Sequence, residues 1–420
     1  MSEGLISTFC LILCFFVVGC PFLIRIALTT CTSYSLIPPQ TPTQSIAVNE
    51  TPGSSSDVLP FFRKAQPGIE NRPYLVAGPC SAETPDRLEA TLDGLAPLAP
   101  DLVRAGIWKP RTRPDRFEGV GAEGLGWVRE LTQRRGLRLA VEVAQPSQVE
   151  HALLHGVDAV WLGARTTVNP FLVDEIGRVL AGTGMPVMIK NPINPDLELW
   201  LGAIERMERW GLNQLALVHR GFSPFEPSPY RNAPQWEIPI ELRRRRPDLP
   251  MYCDPSHITG NARLVPEFAQ IALDLCYDGW MLEVHHSPVD AWSDASQQLT
   301  PEQLRATING LSLRYSDPDN QELAGQLHAL REQVDHLDQE LLHLMSQRLQ
   351  LSHQLGALKK EHDLPILQPK RWEQILETRS QDGVSIGLNL SFLNKWLQLM
   401  HQESIRRQLE VYRPDSSGNP

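Results

Sequence analysis

At 420 residues with a formal net charge of −10, the chain is too long for one small core and too acidic to attract nucleic acid by bulk charge. Four of the seven cysteines (Cys10, Cys14, Cys20, Cys31) fall near the start, which is no disulfide framework and fits a reducing compartment. A barrel takes about 250 residues, so there is room for a second domain.

The first 57 residues stand apart. Leu5 to Ile24 carries no charge and is long enough to cross a bilayer. It lacks the basic start of a signal peptide, since Glu3 is the only nearby charge. Two readings are open: an anchor, or a misassigned translation start that uses a codon other than the next methionine, Met185. The globular part is expected in the cytosol; for an anchor this follows because Arg25, Arg63 and Lys64 come after the apolar segment. Membrane contact follows only from the anchor. Residues 32 to 57, rich in Ser, Thr and Pro, read as a disordered linker.

From residue 58 to 312 the pattern is an apolar run, a helix-length stretch, and another run. Eight runs occur, each followed by a residue able to bind a metal or a phosphate. They are Tyr74–Ala77 leading to Cys80, Leu102–Trp108 to Lys109, Leu137–Val141 to Glu142, and Ala159–Ala164 to Arg165. Val187–Ile189 leads to Lys190, Leu215–Val218 to Arg220, Met251–Cys253 to His257, and Trp280–Leu282 to Glu283. This layout predicts an α/β chain with a (β/α)8 TIM barrel, whose chemistry sits where the strands end. Cys80, His257, Glu283 and Asp294 offer a thiolate, an imidazole and two carboxylates, which make one mixed S, N, O site for a divalent metal. Arg104, Lys109, Arg111, Arg165, Lys190 and Arg220 follow or interrupt apolar strands, where solvated charge is not expected. Six cations round one mouth could neutralise two small phosphorylated substrates.

Beyond a linker at 313–320 the pattern turns helical, over 321–412, with a short disordered tail at 413–420. Leu323, Leu327, Leu330, Val334, Leu337, Leu341, Leu344, Leu351, Leu355 and Leu358 recur in steps of three and four, and no proline interrupts Gln321 to Glu361. A single helix of about 60 Å is expected. It cannot bury its stripe alone, and the same helix of a second chain is the expected partner. Arg348 breaks the register. It is either an arginine at the edge of the seam or a cation facing a buried anion. Lys359, about 20° round the helix from it, shares its face, and Arg331, about 100° away, points to a different pocket.

Gly78-Pro79-Cys80-Ser81-Ala82-Glu83, Lys109-Pro110-Arg111-Thr112, Gly163-Ala164-Arg165, His219-Arg220-Gly221, Asp254-Pro255-Ser256-His257, Glu283-Val284-His285 and Ser293-Asp294 occur in barrel order. The set closely resembles 3-deoxy-D-arabino-heptulosonate 7-phosphate (DAHP) synthase of the type I-beta kind. The related KDO 8-phosphate synthase typically reads Lys-Ala-Asn-Arg-Ser where this chain has Lys-Pro-Arg-Thr. The resemblance implies a metal-dependent condensation of phosphoenolpyruvate with erythrose 4-phosphate. It implies Cys80, His257, Glu283 and Asp294 as ligands of one manganese, zinc or iron(II) ion, with no organic cofactor. Arg104, Lys109, Arg165, Lys190 and Arg220 would hold phosphoenolpyruvate, and Arg111 and Thr112 the second phosphate. Glu142 would lie near the attacking water, so that Lys109 and Glu142 are the implied catalytic pair. Arg113 replaces the family's usual serine.

Leu327 to Leu409 resembles the AroQ-type chorismate mutase, an all-helical intertwined dimer. This implies Arg331, Arg348, Lys359, Arg371, Ser404 and Gln408 as chorismate-binding residues, with Arg331 crossing into the partner's site. Arg348, Lys359 and Gln408 would be catalytic. One departure is Trp372, where the family usually has Glu; Glu373 follows it. Together the resemblances imply a bifunctional enzyme whose mutase domain also mediates feedback inhibition. The alternative is a mutase-like domain that only senses its ligand.

Overall fold

The computed structural model describes residues 61–64, 72–110, 117–224, 227–313 and 321–413. The apolar segment 5–24, the linkers at 32–57 and most of 313–320, nearly all of the tail, and Arg111, Thr112 and Arg113 lie outside the described residues.

Eight strands form a closed parallel barrel in sequence order. They are β1 (Tyr74–Gly78), β2 (Leu102–Ala105), β3 (Leu139–Val143), β4 (Ala159–Leu162), β5 (Val187–Lys190), β6 (Leu215–His219), β7 (Met251–Cys253) and β8 (Gly279–Glu283). Closure pairs Tyr74 with Gly279 and Gly78 with Glu283. The strands read as nearly continuous apolar runs because both faces are covered.

Period-two alternation divides those runs between two cores. Leu75, Ala77, Val103, Ala105, Val141 and Leu162 pack outward in the layer shared with the helices. Tyr74, Val76, Leu102, Ala140, Trp161, Met188, Val218, Tyr252 and Met281 fill the interior. The floor is aromatic: Tyr74 and Tyr252 stack with centroids 4.8 Å apart, and Phe62 meets both edge-on. That leaves the strands' C-terminal ends as the open face.

Several apolar runs extend past the strands. The second stops being strand at Ala105, although Ile107 stays buried. A Cβ at Gly106 would stand 2.1 Å from the carbonyl oxygen of Cys80, so the chain crosses the first loop there and leaves the sheet. Glu142 lies inside β3 rather than beyond it, and Ala164 opens a short helix, Ala164–Thr167.

The C-terminal segment is three helices, α1 (Gln321–Glu361), α2 (Pro369–Ser385) and α3 (Leu390–Tyr412). The first is one unbroken helix of 41 residues. α3 lies against its C-terminal half so closely that a Cβ at Gly356 would stand 2.9 Å from Gln408 Cα. The leucine stripe faces elsewhere: Leu330, Leu337, Leu341, Leu344, Leu351 and Leu355 are all more than half exposed in the single chain.

Candidate active sites

The interior parity of each strand carries into the barrel's polar residues. On β2, Leu102 faces in and so does Arg104; on β3, Ala140 and Glu142; on β5, Met188 and Lys190; on β8, Met281 and Glu283. The same count from β1 and β6 brings in Cys80 and Arg220, while His219 falls on the outer side against Phe222, Trp236 and Tyr277.

Cys80, Glu283 and Asp294 each offer a ligand atom, all within 4.8 Å of one another. Lys109 Nζ donates to Cys80 Sγ at 2.7 Å, and the thiol donates to Asp294 Oδ2 at 3.3 Å. Glu283 Oε1 is buried with no hydrogen bond of ordinary geometry, although Arg104 Nη2 lies 3.0 Å away and His257 Nε2 3.5 Å away. Gln297 holds the other Glu283 oxygen at 2.6 Å. Three of the four expected ligands therefore form a tight group, and the fourth borders it through Glu283. The donor set and the unsaturated carboxylate oxygen both fit a divalent ion.

Burial, together with Glu283, pushes the Cys80 thiol up to about 12 against the pull of Lys109. Burial would also raise Glu283, but His257, Arg104 and Lys109 bring it down to about 2. Asp294, likewise raised by burial, is held well below the usual carboxylate range by Arg231, Lys109 and His257. Burial lowers His257 despite the neighbouring Asp254 and Glu283.

Beside this group stand the cations. Arg104 is buried, with its guanidinium carbon 5.2 Å from the Trp161 ring centroid, and its Nε and Nη1 have no hydrogen-bond partner. Lys190 Nζ is 5.9 Å from the same ring and 2.8 Å from Asp254 Oδ2. Burial lowers Lys190 despite Asp254, and it lowers Arg220 to about 10. Arg220 is aimed by two asparagines: its backbone N–H donates to Asn191 Oδ1 at 2.7 Å and its Nη1 to Asn232 Oδ1 at 2.6 Å. Arg165 is exposed at the rim and near enough to Arg220 to depress its basicity. Two buried arginine donors without a hydrogen-bond partner among the described residues suit an anion. Glu142 faces the same interior, and a Cβ at Gly163 would lie 2.0 Å from its Oε1, so that glycine keeps the carboxylate in place.

Several residues here carry no role legible in the sequence. Asp254 joins the cations to the metal group, lying 2.8 Å from both Lys190 Nζ and His257 Nδ1. Trp161 pairs two cations over one ring. Arg231 reaches Asp294 Oδ1 at 3.1 Å. Interior parity could have found Asp254 and Trp161, each two residues beyond an inward side chain. No local signal marks Arg231.

In the helical segment, Arg348 Nη1 donates to Ser404 Oγ at 2.7 Å. Lys359 Nζ donates to Gln408 Oε1 at 3.0 Å and to the Ile366 carbonyl at 2.6 Å. Ser404 and Gln408 are buried on α3. Burial lowers both Arg348 and Lys359. Arg331 and Arg371 do not join them within one chain. Arg331 is exposed, 17 residues before Arg348 and so about 25 Å along the helix. Arg371 is exposed and donates to Gln374 Oε1 at 2.6 Å. Trp372 stacks on His401, and Glu373 is exposed.

Residues 47–312 match the DAHP synthetase I family, and residues 330–409 match Chorismate mutase type II. The chain is 31% identical over 229 residues to the phospho-2-dehydro-3-deoxyheptonate aldolase of Thermotoga maritima, a match covering 54% of this chain and 64% of that protein. The crystal structure of the Thermotoga maritima phospho-2-dehydro-3-deoxyheptonate aldolase (DAHP synthase) superposes with a TM-score of 0.52 at 29% identity, over 56% of this chain and 67% of that one. Over 78 residues the chain is 35% identical to the T-protein of Haemophilus influenzae, covering 19% of this chain and 21% of that protein. It thus spans less than two thirds of the length of each of these two curated relatives. The barrel accounts for more than half of the sequence, and on that match the chain belongs to the DAHP synthetase I family.

Proposed function

We propose that the barrel condenses phosphoenolpyruvate with erythrose 4-phosphate and water to DAHP and phosphate, and that the helical domain converts chorismate to prephenate. The observation that carries the first activity is the pair of unpartnered Arg104 donors beside the Cys80, Glu283 and Asp294 group. Arg104, Lys109, Arg165, Lys190 and Arg220 neutralise the carboxylate and phosphate of phosphoenolpyruvate, two anions that would otherwise repel the second phosphate. Arg111 and Thr112, outside the described residues, take that second phosphate. Glu142 orients the attacking water. Cys80, His257, Glu283 and Asp294 would hold a manganese, zinc or iron(II) ion, which when bound supplies Lewis-acid polarisation of the aldehyde. No organic cofactor is needed. Phosphate release should require both phosphoenolpyruvate and erythrose 4-phosphate, stop on chelation and return with manganese. Release from either substrate alone would sink this reading.

For the helical domain, Arg348, Lys359 and Gln408 stabilise the charge that develops as a dianion rearranges, with Ser404 holding Arg348 in place. Arg331 and Arg371 complete the pocket in a dimer, with Arg331 supplied by the partner. Each stripe leucine transferred from water to such an interface contributes about 1 kcal/mol. The full-length chain should sediment as a dimer at micromolar concentration, and Leu337→Asp with Leu341→Asp should make it monomeric. A monomeric parent would remove the shared pocket.

A second reading makes the helices a sensor that relays feedback inhibition to the barrel. It is favoured by Trp372 standing against His401 where the resemblance places a glutamate. Inhibition of phosphate release by prephenate without chorismate turnover would select it. We place the enzyme in the cytosol because Arg25, Arg63 and Lys64 follow the apolar segment; among the described residues, which do not include that segment, no helix is long and apolar enough to cross a membrane.

A further inference from the structure

An aromatic pair forms a wall beside Arg348 and Lys359. Trp372 from α2 and His401 from α3 stack with centroids 3.9 Å apart and planes 12° from parallel. His401, Ser404 and Gln408 follow at steps of three and four along α3, so they share one face. That face meets Arg348 at Ser404 and Lys359 at Gln408. His401 therefore stands one turn beyond Ser404 on the cation-lined side. A ring stacked by its faces keeps its in-plane edge free, and both imidazole nitrogens lie on that edge. Neither makes a hydrogen bond to another described residue.

Burial, then the charges of Arg348 and Lys359, lower the basicity of His401. The ring is thus a neutral donor and acceptor rather than another cation. Glu373, exposed and about 100° further round α2 than Trp372, is turned away from this wall. We infer that His401, held face-on by Trp372, contacts the ligand of the helical site through its ring-edge nitrogens, suited to a small dicarboxylate that also carries a hydroxyl. The inference rests on the mutase reading above. A neutral ring at this point adds a directional contact without a carboxylate that would repel a dianion.

The test uses full-length protein with chorismate as probe, and phosphate release by the barrel as the control for folding. His401→Leu should raise KM for chorismate about tenfold with kcat within about threefold, the signature of a binding contact kept through the reaction. His401→Gln, which keeps a donor and an acceptor, should stay within about threefold of the parent in both. A His401→Leu variant within twofold of the parent overturns the inference. So does an equal loss in His401→Gln, since packing on Trp372 would then be the whole role. If the parent binds chorismate by calorimetry but does not convert it, the dissociation constant replaces KM. If the parent neither binds nor converts it, the mutase reading itself fails and takes the inference with it.

Discussion

Cys80→Ala and His257→Ala are each expected to lower phosphate release from phosphoenolpyruvate and erythrose 4-phosphate by about a thousandfold or more, while chorismate conversion stays near the parent level. A bound metal ion would lower the barrier by several kcal/mol through Lewis-acid polarisation, and each 1.4 kcal/mol is about tenfold in rate. Cys80 supplies the sulfur of the three-residue ligand group, and its loss also strips Lys109 of the acceptor it reaches at 2.7 Å. His257 is placed by the helix N-terminus at Asp254, whose carboxylate accepts from the His257 backbone N–H at 3.1 Å. That restraint survives the substitution, so the backbone should hold. Removing a sulfur from a buried site costs about 1 kcal/mol of stability, far less than the fall in rate. The two activities on one chain separate the explanations: loss of both would mean misfolding or tight coupling. Manganese-dependent release surviving in Cys80→Ala would remove Cys80 from the ligand set.

Arg348→Ala and Lys359→Ala should each reduce chorismate conversion by about a hundredfold to a thousandfold, the usual consequence of removing one preorganised donor aimed at developing charge. Both residues are held by α3 partners, Ser404 at 2.7 Å and Gln408 at 3.0 Å, so they are positioned before ligand arrives. Arg348→Lys should not rescue, because an ammonium cannot hold Ser404 and grip a carboxylate in a fork together. Arg331→Ala should fall to a similar degree, but through the partner's pocket, since it stands about 25 Å from Arg348 along one helix. Exchanging subunits between Arg331→Ala and Arg348→Ala chains should then restore about a quarter of the sites, because half the dimers are mixed and each holds one intact pocket. No recovery on mixing would place both arginines in one chain's site or in none.

Much of this was readable from sequence because the relevant periods are local. A strand alternates every two residues, so the inward direction of Leu102, Ala140 and Met188 also fixes that of Arg104, Glu142 and Lys190. A helix without proline from Gln321 to Glu361 stays a helix, and Arg348 and Lys359 share a face by rotation alone. Strand limits were less legible. The second apolar run continues to Trp108, whereas β2 ends at Ala105, because burial by a crossing loop demands apolar residues as much as a sheet does.

By itself the sequence determined the eight-fold repeat, the polar effector in or near the C-terminal end of each strand, the long helix and the uncovered stripe. Each follows from neighbours a few residues apart. Tertiary structure alone decided which of these groups meet. Asp254 bridges Lys190 to His257, Trp161 sets two cations over one ring, Arg231 restrains Asp294, and Trp372 meets His401. Apart from Asp254 and His257, three residues apart on one cap, those partners lie on different strands, loops or helices, tens of residues apart. Their distances are set by barrel closure and helix crossing, which no local periodicity encodes.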